Sequence, residues 1–326
     1  MVDANKLLNR RSGAKVFAEV KKETKPSLDI NRLCRRRDKA KSDLDKWRSL
    51  LETAYHYAMP NYNPFENYGR GGLQAPGQQY AADIYDLTLP IAHQRLADKM
   101  LMGLVPQGQE WMKFKPGDDF GDTDEDLYKQ AAEATQRMTT HFFKILDRTN
   151  FYTAVGESLS DVLISTGVLV INEGTRKQPI KFEAAPASHM MFEGNSDGGF
   201  DATFRDWYDV RVGNIKSIWP RAKLEGLNKS EDEKINIYEC AYVERSADEN
   251  ERYKYVVMTD SKDVIVEESH PSWPWVIYRM RKMTGEVRGR GPSMLAYPTA
   301  ATINEALGDE LTAAAYVANP MYMAAT

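Results

Sequence analysis

Apolar positions recur with a helical period through the first half of the chain and with a strand period through most of the second, the change falling near Gly167. Leu44, Trp47, Leu51 and Tyr55 stand three or four residues apart, which predicts a helix over 39–57 that stops before Pro60. A second helix, over 89–104, carries Ala92, Leu96, Met100 and Leu104 along one face, and Pro106 closes it ahead of a short strand at 111–115. A third, over 123–148, repeats Leu127, Ala131, Ala134, Met138, Phe142 and Ile145. The fourth follows directly, with a stripe of Phe151, Val155, Leu159, Val162 and Leu163 that Gly167 ends.

Beyond Gly167, Val168, Val170, Phe182, Met190 and Phe192 fall in short segments of period two, punctuated by turns. The run N-S-D-G-G at 195–199 predicts a hairpin, because Gly accepts positive φ where the chain reverses. Strands over 235–243 and 252–258 flank an acidic turn at 247–251, and a shorter one follows at 264–268. The fold class is therefore α+β, a helical N-terminal half packed on a sheet-rich half. The stretch 59–79, rich in Asn, Gly and Pro, reads as a long loop.

The segment 273–293, W-P-W-V-I-Y-R-M-R-K-M-T-G-E-V-R-G-R-G-P-S, runs from a strand through a glycine-rich loop into a helix that continues through Leu295, Ile303, Leu307 and Leu311. Gly285, Gly289 and Gly291 permit tight turns, and Pro292 presets φ for the first helical residue. A helix N-terminus behind glycines and arginines can hold an anion. A nucleotide-binding loop, however, needs Lys and Ser or Thr directly after its last glycine, and here Pro292 follows Gly291. The segment is read as a rigid joint.

At 326 residues and 42% hydrophobic the chain can bury a sizeable core. Its formal charge of −4 is unevenly spread: the first 41 residues hold 13 Lys or Arg against 5 Asp or Glu, or +8, which leaves −12 for the rest. A basic arm can meet nucleic acid or an acidic partner, but Arg35, Arg36, Arg37, Lys39 and Lys41 are read as the solvated face of a helix. Cys34 and Cys240 are too few for a disulfide framework, and no run approaches the roughly 18 apolar residues of a membrane span, so no membrane partner is expected.

Tests for chemistry return little. His56, His93, His141, His189 and His270 stand apart, with no HExxH pair, and are read as surface or capping residues. The run G-E-S-L-S at 156–160 lacks the final Gly of a nucleophile elbow and lies inside an apolar-periodic helix. Asp122, Asp124, Asp126 and Glu133 match calcium-loop positions 1, 3, 5 and 12, but Leu127 stands where the turn needs Gly, so a helix start capped by Asp122 or Thr123 explains the run better. No catalytic residue, metal or cofactor is expected. Arg279, Arg281, Lys282, Arg288 and Arg290 form the one dense basic patch outside the N-terminus, placed to touch DNA backbone or to pair with acids of a neighbouring subunit.

Taken in order, these pieces resemble the portal, or head-to-tail connector, proteins of short-tailed bacteriophages. The likeness runs from about Trp47 to Met321. It rests on Y-H-Y-A-M-P-N at 55–61, L-A-D-K-M-L-M-G-L-V-P-Q-G-Q-E-W-M-K-F at 96–114, L-S-D-V-L-I-S-T-G-V-L-V-I-N at 159–172, the hairpin 190–206 and the segment 275–293. The resemblance implies a structural virion protein, assembled in the host cytoplasm into a homo-oligomeric, dodecameric ring at the capsid vertex. It also implies double-stranded DNA in the channel and contacts with a terminase motor, major capsid protein, scaffold and tail adaptor proteins, with ATP hydrolysis left to the terminase. In its terms residues 1–40 are a basic N-terminal arm, 41–290 an α/β wing domain and 291–326 the start of the stem helix. The remaining stem, clip and crown of the family lie beyond Thr326, so the sequence is expected to be part of a longer protein. Two other readings stay open: a metal-dependent nucleic-acid-processing hydrolase using Asp122, Asp124, Asp126 and Glu133, and a monomeric capsid-associated adaptor.

Overall fold

The structure, a computed structural model, describes residues 29–62, 64–65, 82–117, 125–174, 178–225, 227, 229–244 and 252–318. Most of the loop expected at 59–79, most of the acidic run 118–126, the turn 247–251, the first 28 residues and residues 319–326 lie outside the described residues. The chain divides into two units, residues 1–36 and 37–326. In the first, the described part opens helix α1 (Ile30–Ala58), where Asp29 Oδ1 accepts the Arg32 N–H at 2.9 Å and satisfies a first-turn donor.

The second unit is α+β. Helices α2 (Thr88–Leu104), α3 (Glu125–Leu146) and α4 (Phe151–Ile164) precede strands β1 (Thr166–Glu173), β2 (Ile180–Ala184), β3 (Met190–Gly194) and β4 (Phe200–Arg211). A short α5 (Ile215–Ile218) leads to β5 (Lys234–Glu244), β6 (Arg252–Thr259), β7 (Val264–His270) and β8 (Trp275–Arg279), and α6 (Pro292–Ala318) comes last. Strands β3 to β7 form an antiparallel meander, while β1 pairs β2 on one side and β8 on the other. The predicted hairpin turn joins β3 to β4, with Gly198 at φ +83° and the Gly199 N–H bonded to Asn195 Oδ1.

Three apolar clusters hold these layers. Phe143 and Leu146 of α3 and Ala154 of α4 pack on Leu169 and Phe182. Val168, Val170, Met190, Phe192, Ala241 and Trp275 fill the space between the two sheets. Val210, Ile215, Trp219, Ile237, Val257 and Ile265 pack on the five-stranded sheet.

Several helices face differently from their apolar period. Helix α1 begins before residue 39, because the basic residues there are good helix formers and Arg37, Ala40 and Leu44 already share its inner face. Arg37 is buried and Lys41 half-buried, whereas Arg35 and Lys39 are exposed as a solvated face requires. Helix α2 buries Leu89, His93 and Ala97, leaving Ala92, Leu96 and Leu104 exposed, since the polar His93 hides the inner stripe from a hydrophobicity count. In α3, Leu127, Ala134 and Met138 are exposed and Thr139 is buried. Residues 111–115 form no strand. Instead Trp111 packs edge-on against Phe143, with ring centroids 5.5 Å apart, and the Phe114 N–H bonds Thr139 Oγ1 at 3.0 Å. Gly167 lies within β1 rather than ending α4.

Helix α1 is tied to the sheet by charge. Arg37 Nε donates to Asp206 Oδ1 of β4 at 2.8 Å and Nη2 donates to Oδ2, while the Tyr208 hydroxyl donates to Oδ2 at 2.9 Å. The Asp206 side chain is fully buried, and the Arg37 guanidinium also lies 3.7 Å over the Tyr238 ring. Burial opposes the arginine's charge, but Asp206 more than offsets it and raises the guanidinium above its ordinary value. A pair this deep is costly to break singly, because Arg37 then keeps only the exposed Asp38, 3.0 Å from Nη1, as a counter-charge. Asp206→Ala is expected to destabilise the fold by about 3–5 kcal/mol, seen as an earlier midpoint in urea unfolding followed by circular dichroism.

Candidate functional site

The strand–loop–helix joint is where the sheets, α4 and α6 meet. After β8 the chain folds back on itself: the Arg290 N–H bonds Arg281 C=O at 2.9 Å, Lys282 bridges Gly289, and Gly285 turns at φ +84°. The returning arm lies flush against the end of α4. Gly291 N–H donates to Ile164 C=O at 2.9 Å, Gly289 N–H to Thr166 Oγ1 at 3.0 Å, and Ser165 Oγ to Gly289 C=O at 3.0 Å. A Cβ at Gly291 would stand 1.9 Å from Leu163 O, and one at Gly289 2.6 Å from Ser165 O. The Gly291 N–H just ahead of α6 is thus used on the last carbonyl of α4, as a joint requires.

The five basic residues singled out in the sequence are brought to this joint but face different ways. Arg279 donates to Val287 C=O at 2.5 Å and to Gly198 C=O at 2.9 Å, so it staples the joint to the β3–β4 turn. Arg288 is buried, donating to Met190 C=O and, at 3.5 Å, to Ala187 C=O, with its guanidinium 4.8 Å from the Phe192 ring centre. Arg290 grips Glu286 through two bonds of 2.8 and 2.7 Å, which hold that carboxyl below its usual range, and lies 4.9 Å over Trp47 of α1. Arg281 and Lys282 are exposed.

Two polar contacts that the apolar period hid fix α6. His93 of α2 places Nδ1 2.8 Å from Ser293 Oγ, and burial pushes its imidazole down to about 4, so it stays neutral at physiological pH. Asn304 accepts the N–H groups of Tyr85 (2.6 Å) and Asp86 (3.1 Å) and donates to Asp83 C=O at 2.8 Å. Beyond Gly308 every described residue of α6 is exposed, Leu311, Tyr316 and Val317 at 55, 62 and 81%.

Under the joint, α4 carries the buried Asp161, whose Oδ1 accepts the Tyr55 hydroxyl of α1 at 2.6 Å. Burial pushes its carboxyl up to about 7, with Glu157 adding to the rise. The histidines are not uniformly superficial: His93 and His189 are core residues, while His141 is exposed. Asp122 and Asp124 lie outside the described residues, and Asp126 and Glu133 are exposed on α3. Among the described residues no three His, Cys, Asp or Glu side chains are grouped to hold a metal, and no helix is long and apolar enough to cross a membrane.

The family model described as bacteriophage head to tail connecting protein matches residues 31–326. No curated protein matches the chain.

Two outcomes follow from the joint. Gly291→Ala forces a methyl into the α4 backbone and is expected to cost at least about 3 kcal/mol, the upper range for overpacking, read as a lower unfolding midpoint. Asp161 is protonated more readily folded than unfolded, so its contribution is largest below the ordinary carboxylate value of 3.8 and is lost as pH rises to about 7. Asp161→Asn should flatten stability across that range; of the wild-type change, roughly 3 kcal/mol falls between pH 5 and pH 8, about two pH units at about 1.4 kcal/mol each, and urea unfolding at those two pH values measures it.

Proposed function

We propose, because the chain belongs to the bacteriophage head-to-tail connecting proteins, that it assembles with copies of itself into a ring at the portal vertex of a short-tailed phage. Membership carries the coarser statement directly: the chain is a structural virion component that joins head to tail. The ring reading places residues 41–290 in the wing and residues 291–326 at the start of the stem, with the dodecamer as the stoichiometry that its resemblance to portal proteins implies. Double-stranded DNA passes through the channel, a separate terminase drives it, and the capsid, scaffold and tail adaptor proteins dock around it after assembly in the host cytoplasm. The chain itself performs no catalysis.

One observation carries the reading. The last turns of α6 present Leu311, Tyr316 and Val317 with nothing of their own described unit against them. These three side chains point to different sides of the helix, so its last turns are apolar all round and need cover on more than one side, which neighbouring copies in a ring supply. The exposed Leu96, Met102 and Leu104 of α2 add further apolar surface. Arg281 and Lys282, outward on the joint, are the members of the basic patch free to approach a neighbouring subunit or DNA. Past residue 41 the chain carries −12, which keeps a channel from gripping the duplex and favours sliding.

Native mass spectrometry of the chain is expected to give one discrete assembly of many subunits. Leu311→Asp should reduce that species at least about tenfold, the effect of burying an unpaired charge at an interface, while leaving the circular dichroism of the subunit unchanged. A single-subunit mass for the unaltered chain would overturn the ring in favour of a monomeric adaptor.

A further inference from the structure

Away from the joint, a cavity of about 230 Å³ opens between the two sheets, walled by Trp219, Tyr255 and Trp275. The polar ends of two of these rings are already used: Trp219 Nε1–H donates to the Tyr255 hydroxyl at 2.9 Å, and that hydroxyl donates to the buried Glu239. Tyr255 and Trp275 meet nearly edge to face, with centroids 6.3 Å apart at 84°. Ring carbon thus forms part of the wall, beside the apolar Val170 and Val266 and the polar Asn172 and Ser272. At its mouth stand Glu173 of β1 and Glu268 of β7, and the exposed Arg221 spans them, Nη2 on Glu173 and Nη1 3.3 Å from Glu268 Oε1. His270 Nε2 lies 3.2 Å from the other Glu268 oxygen.

From this arrangement we infer a binding site for the guanidinium of an arginine side chain presented by another polypeptide. Aromatic walls with two carboxylates at the mouth suit a planar, weakly hydrated cation that stacks on rings and bonds carboxylates through its edge. The spacing of Glu173 and Glu268 is one that a single guanidinium already bridges, because Arg221 does so. Arg221 bridges them from an exposed position, where an ion pair is weak. An incoming arginine that reaches the rings and the same carboxylates replaces it. Two glutamates against one arginine leave the mouth negative, which supplies the charge complementarity. This inference stands on the cavity alone and is independent of ring assembly.

The test is ligand-observed NMR, which reads weak affinities, on the intact chain with N-acetyl-arginine amide, the neutral isostere N-acetyl-citrulline amide and N-acetyl-lysine amide. Saturable binding of the arginine compound is expected, at least tenfold tighter than citrulline and tighter than lysine. Arg221→Ala should tighten arginine binding at least threefold, and Glu173→Gln with Glu268→Gln should weaken it at least tenfold. Circular dichroism monitors folding of each variant, with Arg221→Gln as the milder replacement. Equal binding of arginine and citrulline, no binding of either, or an arginine affinity indifferent to residue 221 overturns the assignment.

Discussion

The backbone of residues 289–291 lies so near the last turn of α4 that a side chain at either glycine would overlap a carbonyl oxygen. That approach lets the Gly291 N–H just ahead of α6 pair with Ile164 C=O, and with it the helix start, β8 and the end of α4 become one piece. The surrounding side chains close around this contact. Arg279 ties it to the β3–β4 turn, Arg288 reaches carbonyls under β3, and Arg290 with Glu286 lies over Trp47. Moving the joint would break bonds to three other parts of the chain at once.

Buried charge plays a second, separate part. Arg37 and Asp206 tie α1 to β4, while Arg205 of β4 meets Glu239 on the neighbouring β5 and Glu183 on β2 of the other sheet. Buried ion pairs add little net stability compared with well-packed apolar residues, but they reject wrong arrangements, because any slip leaves a charge without its partner. In a sheet whose register already depends on a bulge between Trp207 and Val210, such rejection helps define where α1 sits.

Much of the order of elements was legible in the sequence, because long apolar periods survive wherever a helix or strand has one buried face. The strands from Thr166 onward and the turn at 195–199 match the structure closely for that reason. What pattern reading missed was polar. Arg37, His93, Thr139 and Asn304 occupy inward positions through hydrogen bonds that no hydrophobicity count registers. The opposite error arose at Leu96, Leu104, Leu127 and Met138, apolar residues in period that face outward. At the joint, the sequence predicts tight turns at the glycines, but only the fold shows that Gly289 and Gly291 serve a close approach to the end of α4 and which arginines turn inward.

Asn304 holds the segment 83–86 entirely through that segment's main chain, with Oδ1 on two N–H groups and Nδ2 on a carbonyl. Every residue type except proline offers those same groups. The freedom to vary is therefore lopsided: residues 83–86 can drift in identity over evolutionary time without loosening the clamp, whereas position 304 must keep a short side chain that both donates and accepts.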